Sequence, residues 1–376
     1  MSLPSTEQSA LDRHYMARAL ELARKGIYTA HPNPRVGCVI VRDGQIVGEG
    51  WHVRAGQPHA EVHALRQAGD KARDATAYVT LEPCSHHGRT PPCAEALVDA
   101  GVSRVVAAMQ DPNPDVAGKG LLRLMTAGIA VQSGVLESEA RALNKGFLKR
   151  MEHGLPYVRV KLAMSLDGRT AMASGESKWI TGPAARSAVQ RLRAQSSVVL
   201  TGADTVLADG ARLTVRPDEL GLDAELTALA LSRPPLRVLI DGRLRVPLDA
   251  PFFQGGNTLV VTCAAASARE HYLAEGHEML ALSNSAGQVD LHKLMVELAA
   301  RGVNDVLVEA GPALAGAFTR LGLVDEFQIF VAGKFLGSSA RPLLDLPLAK
   351  MSEALELKII EMRAVGEDWR VIAVPA

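Results

Sequence analysis

The stretch from His59 to Cys93 constrains the fold of this chain more than any other. It places His59 and Glu61 two positions apart and follows them with Cys84 and Cys93, which residues 85–92 separate. One imidazole and two thiolates can hold Zn²⁺ and leave the fourth tetrahedral position to water. A carboxylate so close in sequence to the histidine can carry protons to and from that water. We therefore expect the fold to gather these side chains around one zinc ion per chain.

The arrangement of H-x-E with two later cysteines is similar to that of zinc deaminases, in which the Glu is not a ligand. The expected target is an amino-substituted heteroaromatic carbon, with pocket walls from residues 31–35, Trp51, His52 and residues 82–92. A structural zinc site is the main alternative, and His86 or His87 could supply its fourth ligand. Glu61 favours a catalytic water, because a structural site has no use for a general base.

Strand-like and helix-like segments alternate along both halves of the chain. In the first half this pattern predicts a three-layer α/β domain with a largely parallel sheet. The metal ligands would lie at helix N-termini, whose positive dipole ends help to keep Cys84 and Cys93 as thiolates. We predict one helix over residues 137–149 and a break at 151–156, so the expected domains are residues 1–150 and 156–376.

The second half is also predicted to be α/β. Residues 236–240 are predicted to form a strand and residues 291–300 a helix. Residues 209–219 are expected to be a polar loop. The two cysteines outside the metal stretch, Cys38 and Cys263, lie in apolar runs typical of strands.

Composition excludes some classes of partner. The 41 Lys and Arg residues balance 41 Asp and Glu residues, so no bulk charge favours a nucleic acid or a membrane surface. A small phosphorylated metabolite needs only a local basic pocket. No apolar run approaches the ~18 residues of a transmembrane helix, and the first residues lack the apolar core of a signal peptide. We expect a cytoplasmic protein that is not held together by disulfides.

Three strings in the first half resemble one family. They are PNP-x-VGCVIV, G-W-H-x-x-x-G-x-x-H-A-E and T-L-E-P-C-x-H-x-G-x-T-P-P-C, and they are similar to the deaminase half of the bifunctional riboflavin-biosynthesis deaminase/reductases. The long insert between the cysteines distinguishes that family from cytidine and tRNA deaminases. The resemblance implies a cytidine-deaminase-like domain that hydrolytically removes the 2-amino group of 2,5-diamino-6-ribosylamino-4(3H)-pyrimidinone 5′-phosphate. By motif, His59, Cys84 and Cys93 are the ligands and Glu61 is the proton carrier. Asn33, His52 and Asp111 are expected to read the base.

The second half carries the family's reductase motifs in order: KLAMSLDG, GESKWITG, GADTVLAD, LTVR and VEAGP. The resemblance implies a dihydrofolate-reductase-like domain that uses NADPH to reduce the ribosyl side chain to ribityl. It places the cofactor against Ala163, Trp179, Thr205, Asp209, Gly311, Pro312, Ala313, Leu314, Ala315, Gly316 and Ala317. It places the substrate against Ser177, Arg193, Leu213, Arg216 and Glu309, with Arg193 and Arg216 on the 5′-phosphate. Asp209 would also assist proton delivery as hydride reaches C1′.

The reductase residues also have structural interpretations. The turn at Gly311 can hold phosphate at a helix N-terminus, but strand–glycine–helix turns are also common in packing. Arg191 and Arg193 could form a solvated helix face, and Trp179 could belong to the core. Gly210 and Ala211 depart from the family's pattern, which has Asp and Pro there. The absence of G-x-G-x-x-G after a strand disfavours a Rossmann domain.

Two other functions are compatible with the zinc motif alone. One is a nucleoside or tRNA deaminase with an unrelated appended domain, and the lack of a basic stripe argues against its tRNA form. The other is an inactive, zinc-stabilised scaffold. Small α/β deaminase modules commonly bury one face by self-association, so we expect a homo-oligomer, either a dimer or a tetramer.

Overall fold

A computed structural model describes residues 6–85, 92–114 and 116–376. The chain divides into two compact units, Met1–Gly154 and Leu155–Ala376. The alternative zinc ligands His86 and His87 lie outside the described residues. No helix within the described ranges is long and apolar enough to cross a membrane.

The first unit is built on a five-stranded sheet in the described part of the chain. Its strands are β1 (Gly37–Arg42), β2 (Gln45–Trp51), β3 (Thr76–Val79), β4 (Arg104–Ala107) and β5 (Ala130–Ser133). Their order is β2-β1-β3-β4-β5; β1 runs antiparallel to both neighbours, and β3, β4 and β5 are parallel. Four of the five described strands therefore point the same way, as the prediction of a largely parallel sheet requires, and β1 alone runs against them. Asp43 and Gly44 both take positive φ and close the tight hairpin that makes β1 and β2 antiparallel.

Helices cover both faces of this sheet. They are α1 (Thr6–Arg24), α2 (Ala60–Ala68), α3 (Cys93–Asp99), α4 (Lys119–Thr126), α5 (Glu137–Leu143) and α6 (Lys145–His153), with 3₁₀ turns at Lys25–Tyr28 and Gly69–Ala72. Alternate residues of β1 point to opposite faces. Val39 packs with α1, α5 and α6, whereas Ile40 packs with α2, α3 and α4. This confirms the three-layer α/β domain.

The predicted single helix over residues 137–149 is wrong, because two helices meet at Asn144. The Asn144 side chain accepts from the Arg35 backbone N–H at 2.8 Å and donates to the Arg35 carbonyl at 2.9 Å. These bonds hold Asn144 outside helical geometry, with φ at −117°. Helix α6 then continues through residues 151–153, where a break was expected, and ends at Gly154 with φ of 66°.

The second unit contains a nine-stranded sheet and a two-stranded one in the described residues. Its strands are β6 (Tyr157–Ser165), β7 (Arg169–Ala171), β8 (Val198–Gly202), β9 (Leu236–Ile240), β10 (Thr258–Thr262), β11 (Glu278–Ala281), β12 (Asp305–Glu309), β13 (Glu326–Ala332), β14 (Arg341–Pro342), β15 (Leu357–Val365) and β16 (Asp368–Pro375). The large sheet has the order β11-β10-β9-β8-β12-β6-β13-β16-β15. It is parallel from β11 to β13 and antiparallel where β16 and β15 join. Cys263 follows β10 rather than lying in it, whereas Cys38 is in β1 as expected.

The helices of this unit are α7 (Pro183–Gln195), α8 (Ala203–Asp209), α9 (Ala224–Leu231), α10 (Ala266–Ala274), α11 (Leu291–Ala300) and α12 (Pro312–Arg320), with 3₁₀ turns at Pro217–Glu219, Pro251–Phe253 and Met351–Glu353. The predicted strand at 236–240 and helix at 291–300 are confirmed. The expected loop at 209–219 is confirmed for residues 210–216, whereas Asp209 ends α8 and Pro217–Glu219 form a 3₁₀ turn. Helices α11 and α12 pack on one face of the sheet, and α7, α8 and α10 pack on the other. Because β6, β8 and β12 are parallel, their carboxyl ends meet at one edge, where open α/β sheets bind ligands.

Candidate functional site

Three side chains of the first unit converge as a metal-binding group. His59 is the N-cap residue of α2, Cys93 is the first residue of α3, and Cys84 lies between β3 and α3. His59 Nδ1 is 3.6 Å from Cys84 Sγ and 3.3 Å from Cys93 Sγ, and all three ligand atoms lie within 4.8 Å of one another. Tetrahedral zinc with ordinary Zn–S and Zn–N bonds would separate nitrogen and sulfur by about 3.6 Å. The three residues therefore fit a zinc ion.

The expectation that both cysteines lie at helix N-termini holds for Cys93 only. Cys84 lies before α3 and is hydrogen-bonded to its first residue, because the Cys93 backbone N–H donates to Cys84 Sγ at 3.4 Å. The hydrogen bond from the Cys93 thiol lowers the pKa of Cys84 to about 4, against the effect of burial, and His59 lowers it further. The same hydrogen bond raises the pKa of Cys93. Cys84 thus gives up its proton first, and a thiolate is the form that binds metal.

Glu61 lies in the first turn of α2 and is 3% exposed. Burial, and then the negative charge of Cys84, raise the pKa of its carboxyl group to about 7. A carboxyl group in this range can both accept and release a proton near neutral pH.

A cavity of about 540 Å³ is lined by His59, Cys84 and Glu61. Asn33, His52 and Asp111 all line it, so the structure brings together the three residues expected to read the base. Asn33 Nδ2 and His52 Nε2 are 3.1 Å apart. Burial, and then the charge of His59, lowers the pKa of His52 to about 4, so this imidazole is neutral at neutral pH. Trp51, expected as a wall, packs instead against the core beside α1.

Other residues of the cavity escaped the sequence analysis. They include Gln57, Asn113 and Phe147, whereas Glu82 belongs to the expected wall of residues 82–92. Asn113 is two residues from Asp111, and that proximity was the one available signal in the sequence. Phe147 reaches the cavity from α6, and nothing in the local sequence marks it.

In the second unit, Glu309 ends β12 and meets Arg193 from α7. Arg193 Nε and Nη2 donate to the two carboxylate oxygens at 2.6 and 2.9 Å. The side chains are 12% and 9% exposed, so a solvated face is wrong for Arg193. Burial raises the pKa of Glu309, but the charge and hydrogen bond of Arg193, together with the charges of Lys161 and Arg216, lower the net pKa below its usual value.

The loop after α8 is hydrogen-bonded to α7. Arg193 Nη1 donates to the Thr214 carbonyl at 3.0 Å, and the Arg216 backbone N–H donates to Gln190 Oε1 at 3.0 Å. The Arg216 side chain is exposed and pairs with Glu219 at 2.8 Å. Leu213 points inward and is buried among Ala203, Val206 and their neighbours, so any ligand contact it makes runs through its backbone.

Ser177 and Asp209 meet although distant in sequence. Ser177 Oγ donates to Asp209 Oδ1 at 3.1 Å, and Lys178 Nζ donates to the Asp209 carbonyl at 3.0 Å. Trp179 is 59% exposed and lies under the Arg186 guanidinium, 4.6 Å from ring centroid to Cζ. The core position considered for Trp179 is therefore wrong.

The turn from β12 into α12 divides into two parts. Gly311 is the N-cap of α12, and a Cβ placed on it would lie 4.0 Å from Thr205 Oγ1. The N–H groups of the first turn point out of this end, as a phosphate site requires. Ala315 and Gly316 are buried instead, and a Cβ on Gly316 would come within 2.3 Å of the Asp345 carbonyl oxygen. Only the beginning of the turn thus fits a dinucleotide phosphate.

Ala163 lies near the end of β6 on the α7 side of the sheet. It is half-buried and packs against the cluster that contains Leu307 and Phe330.

Comparisons with known proteins cover both units. The model of the RibD C-terminal domain matches residues 156–371, and that of the cytidine and deoxycytidylate deaminase zinc-binding region matches residues 9–109. The Escherichia coli riboflavin biosynthesis protein RibD is 57% identical over 95% of this chain and 97% of its own length. The Haemophilus influenzae RibD is 49% identical over 98% and 99%.

Solved structures give the same result. The chain is similar to Acinetobacter baumannii RibD with a TM-score of 0.90 and 47% identity, covering 98% of this chain and 99% of that one. A Thermotoga maritima protein matches with a TM-score of 0.85 and 33% identity over the same shares. It is described as a diaminohydroxyphosphoribosylaminopyrimidine deaminase/5-amino-6-(5-phosphoribosylamino)uracil reductase.

Proposed function

This chain belongs to the RibD family of riboflavin biosynthesis proteins, and from that premise we propose which of its residues serve each of two reactions. The protein is a bifunctional enzyme with a cytidine-deaminase-like domain and a dihydrofolate-reductase-like domain. It deaminates 2,5-diamino-6-ribosylamino-4(3H)-pyrimidinone 5′-phosphate with zinc and then reduces the ribosyl side chain to ribityl with NADPH. Identity of 57% across both units does not favour a tRNA deaminase with an unrelated domain, or an inactive scaffold.

The deaminase assignment depends on one observation, the convergence of His59, Cys84 and Cys93 beside Glu61 at the cavity. Held by the three ligands, zinc would supply a water acidic enough to act as a nucleophile near neutral pH. Glu61 moves two protons: the first goes from that water to the ring nitrogen, and the second goes from the hydroxyl added to the ring carbon to the amine, which leaves as ammonia. The neutral His52, with Asn33 and Asp111, holds the base in the cavity.

For the reductase, Arg193 and Arg216 hold the 5′-phosphate of the substrate. This assignment is supported by the proximity of the two arginines. Arg193 is hydrogen-bonded to the loop that carries Arg216, and the charge of Arg216 lowers the pKa of Glu309, the partner of Arg193. Paired hydrogen bonds from a guanidinium suit phosphate oxygens. Glu309, Ser177 and the backbone of Leu213 contact the sugar or the base.

NADPH supplies the hydride when it is bound. Its phosphates would fit the backbone N–H groups of Gly311, Ala313 and Leu314 at the start of α12, where Pro312, which has no N–H, is the first helical residue. The rest of the turn, Ala315, Gly316 and Ala317, supports them from the core side. Ala163, Trp179 and Thr205 flank the cofactor. Asp209, oriented by Ser177, delivers a proton as hydride reaches C1′.

Mass spectrometry of the diaminopyrimidine substrate with enzyme, zinc and NADPH tests the whole assignment. The expected product is the deaminated ribityl compound. Ammonia release without NADPH oxidation would contradict the reductase roles, and NADPH oxidation without ammonia release would contradict the deaminase roles.

The functional domains proposed here are residues 1–150 and 156–376. We also propose that the chain forms a homo-oligomer, a dimer or tetramer. Strand β15 is at the edge of the large sheet and exposes Ile359, Ile360 and Met362, next to the exposed Trp369 of β16. An exposed apolar edge strand favours association. Light scattering of the purified protein tests this, and a monomer at micromolar concentration would contradict it.

A cytoplasmic location follows from the chemistry of the thiols. Cys84 and Cys93 must remain reduced to bind zinc, and all four cysteines of the chain are free. Such thiols are typical of a reducing compartment. Fractionation of cells that express the tagged protein tests the location, and recovery in an oxidising compartment would contradict it.

A further inference from the structure

Glu82 is a buried acid that the mechanism above does not use. It immediately precedes Pro83 and the zinc ligand Cys84, and it is 3% exposed. Its side chain faces the loop that joins β4 to α4. That loop supplies Asp111 and Asn113 to the cavity.

Each oxygen of the Glu82 carboxylate accepts hydrogen bonds from two backbone N–H groups. Oε2 accepts from Asp111 at 3.1 Å and from Gly118 at 2.9 Å. Oε1 accepts from Gly120 at 2.8 Å and from Leu121 at 3.2 Å. A carboxylate offers acceptors only, so this set of four donors is matched to its ionised form.

Two of these bonds replace a missing helix cap. The N-cap of α4 is Gly118, which has no side chain to accept from the next N–H groups. A Ser or Asp at an N-cap normally accepts from the second and third residues of the helix, which here are Gly120 and Leu121. Glu82 therefore caps α4 from a distant part of the chain.

The approach of α4 to the cysteine segment is close. A Cβ on Gly120 would lie 1.9 Å from the Pro83 carbonyl oxygen, so only glycine fits there. The segment carrying Cys84 and the start of α4 are thus in backbone contact, with Glu82 holding them together.

We propose that Glu82 is a positioning residue that fixes the base-reading loop at Asp111 relative to the zinc ligands. The inference rests on the proposed role of Asp111 in reading the base. Through its bond to the Asp111 N–H, the carboxylate sets the distance from that loop to the metal. We expect zinc to bind without it, since the hydrogen bonds described for the three ligand side chains join them to one another and not to Glu82.

Glu82→Gln tests the proposal, because an amide keeps the size but sets its NH₂ against two N–H donors. We expect KM of deamination to rise about tenfold, equivalent to one hydrogen bond to a charged group lost. We expect kcat to change much less, with zinc content and reductase activity unchanged. Glu95→Gln is the matched control: it removes the ion pair that Glu95 forms with Arg123 of α4 at 2.6 and 2.8 Å, and it leaves the bond from the Asp111 N–H to Glu82 in place. Its KM should equal that of the wild type.

A second variant, Glu82→Asp, covers a failure of Glu82→Gln to fold. It keeps the carboxylate on a side chain one methylene shorter, which cannot reach both the Asp111 N–H and the start of α4, and the same rise in KM is expected. Unchanged KM, loss of zinc, or a fall in kcat at unchanged KM in the folded variants would overturn the proposal. Asp111→Asn is measured in parallel. Unchanged KM in Asp111→Asn contradicts the reading of the base, whereas unchanged KM in Glu82→Gln alone contradicts the positioning role.

Discussion

Arg193 and Glu309 form a two-point ion pair inside the second unit, with N···O distances of 2.6 and 2.9 Å. One partner lies on α7 and the other at the end of β12, 116 residues later in the sequence. The pair joins a helix to the sheet edge where the substrate is proposed to bind. Removing one charge would leave the other buried without a counter-ion, which is costly.

Glu309→Gln is expected to destabilise the protein by about 3 kcal/mol, because the Arg193 charge stays buried. It should also reduce NADPH oxidation while deamination persists. Thermal unfolding and the two assays measure these effects. Glu297→Gln is the control, since Glu297 forms a surface pair with Arg301 at 2.9 Å within α11. Loss of this surface pair should lower the free energy of unfolding by less than about 1 kcal/mol. Equal stability of the two variants would contradict the role of the buried pair.

Glu61→Gln is expected to slow deamination by about 100- to 10,000-fold, because an amide cannot carry the proton. Zinc content should stay at the wild-type level, since Glu61 is not a ligand. Metal analysis and ammonia release measure the two quantities in one preparation. Reductase activity on deaminated substrate is the internal control. Deamination at the wild-type rate with zinc still bound would remove Glu61 from the mechanism.

Several features were predictable from local sequence. The strand Leu236–Ile240 and the helix Leu291–Ala300 were predicted to the residue, because their apolar patterns fit one period. The proposed zinc ligands could be selected from the sequence because metal chemistry restricts residue type and spacing so strongly, and the structure brings the three side chains together. In these cases the information lies within a short segment.

Other features depend on partners far away in the sequence. Strand β15 has apolar and charged residues without strict alternation, and it is a strand because β16 pairs with it. Arg237 lies within β9, yet its guanidinium is buried and donates to the Phe252 and Gln254 carbonyls of a later loop. The break at Asn144 depends on Arg35, 109 residues earlier. No local pattern reports such contacts.

Zinc removal is expected to abolish deamination and to lower the unfolding temperature, because the ion bridges α2, α3 and the segment between β3 and α3. Binding to the folded state alone stabilises it. Scanning calorimetry with and without a chelator measures the shift, and added zinc should restore both stability and activity. Cys93→Ser should behave as the chelated protein does and should not respond to zinc. Full deamination after verified zinc removal would contradict the metal assignment.

The last prediction concerns Asp167, in the turn between β6 and β7. Its carboxylate accepts from the Ser165 hydroxyl and from the backbone N–H groups of Gly337, at 2.8 Å, and Leu336, at 3.1 Å. The Ser165 hydrogen bond, and then the two N–H groups, lower its pKa to about 2. A carboxyl group with a lowered pKa stabilises the folded state above its unfolded pKa of about 3.9. That stabilisation is lost as the pH falls towards 2.

Asp167→Asn should therefore be less stable than the wild type at neutral pH, and the difference should shrink as the pH falls below about 4. Urea midpoints at a series of pH values from neutral to acid measure this convergence. Asp249→Asn is the control, because Asp249 is an exposed loop residue of the same unit. Its midpoint should follow that of the wild type throughout. A stability difference for Asp167→Asn that stays constant with pH would show that the carboxylate charge does not hold the loop at Leu336 and Gly337.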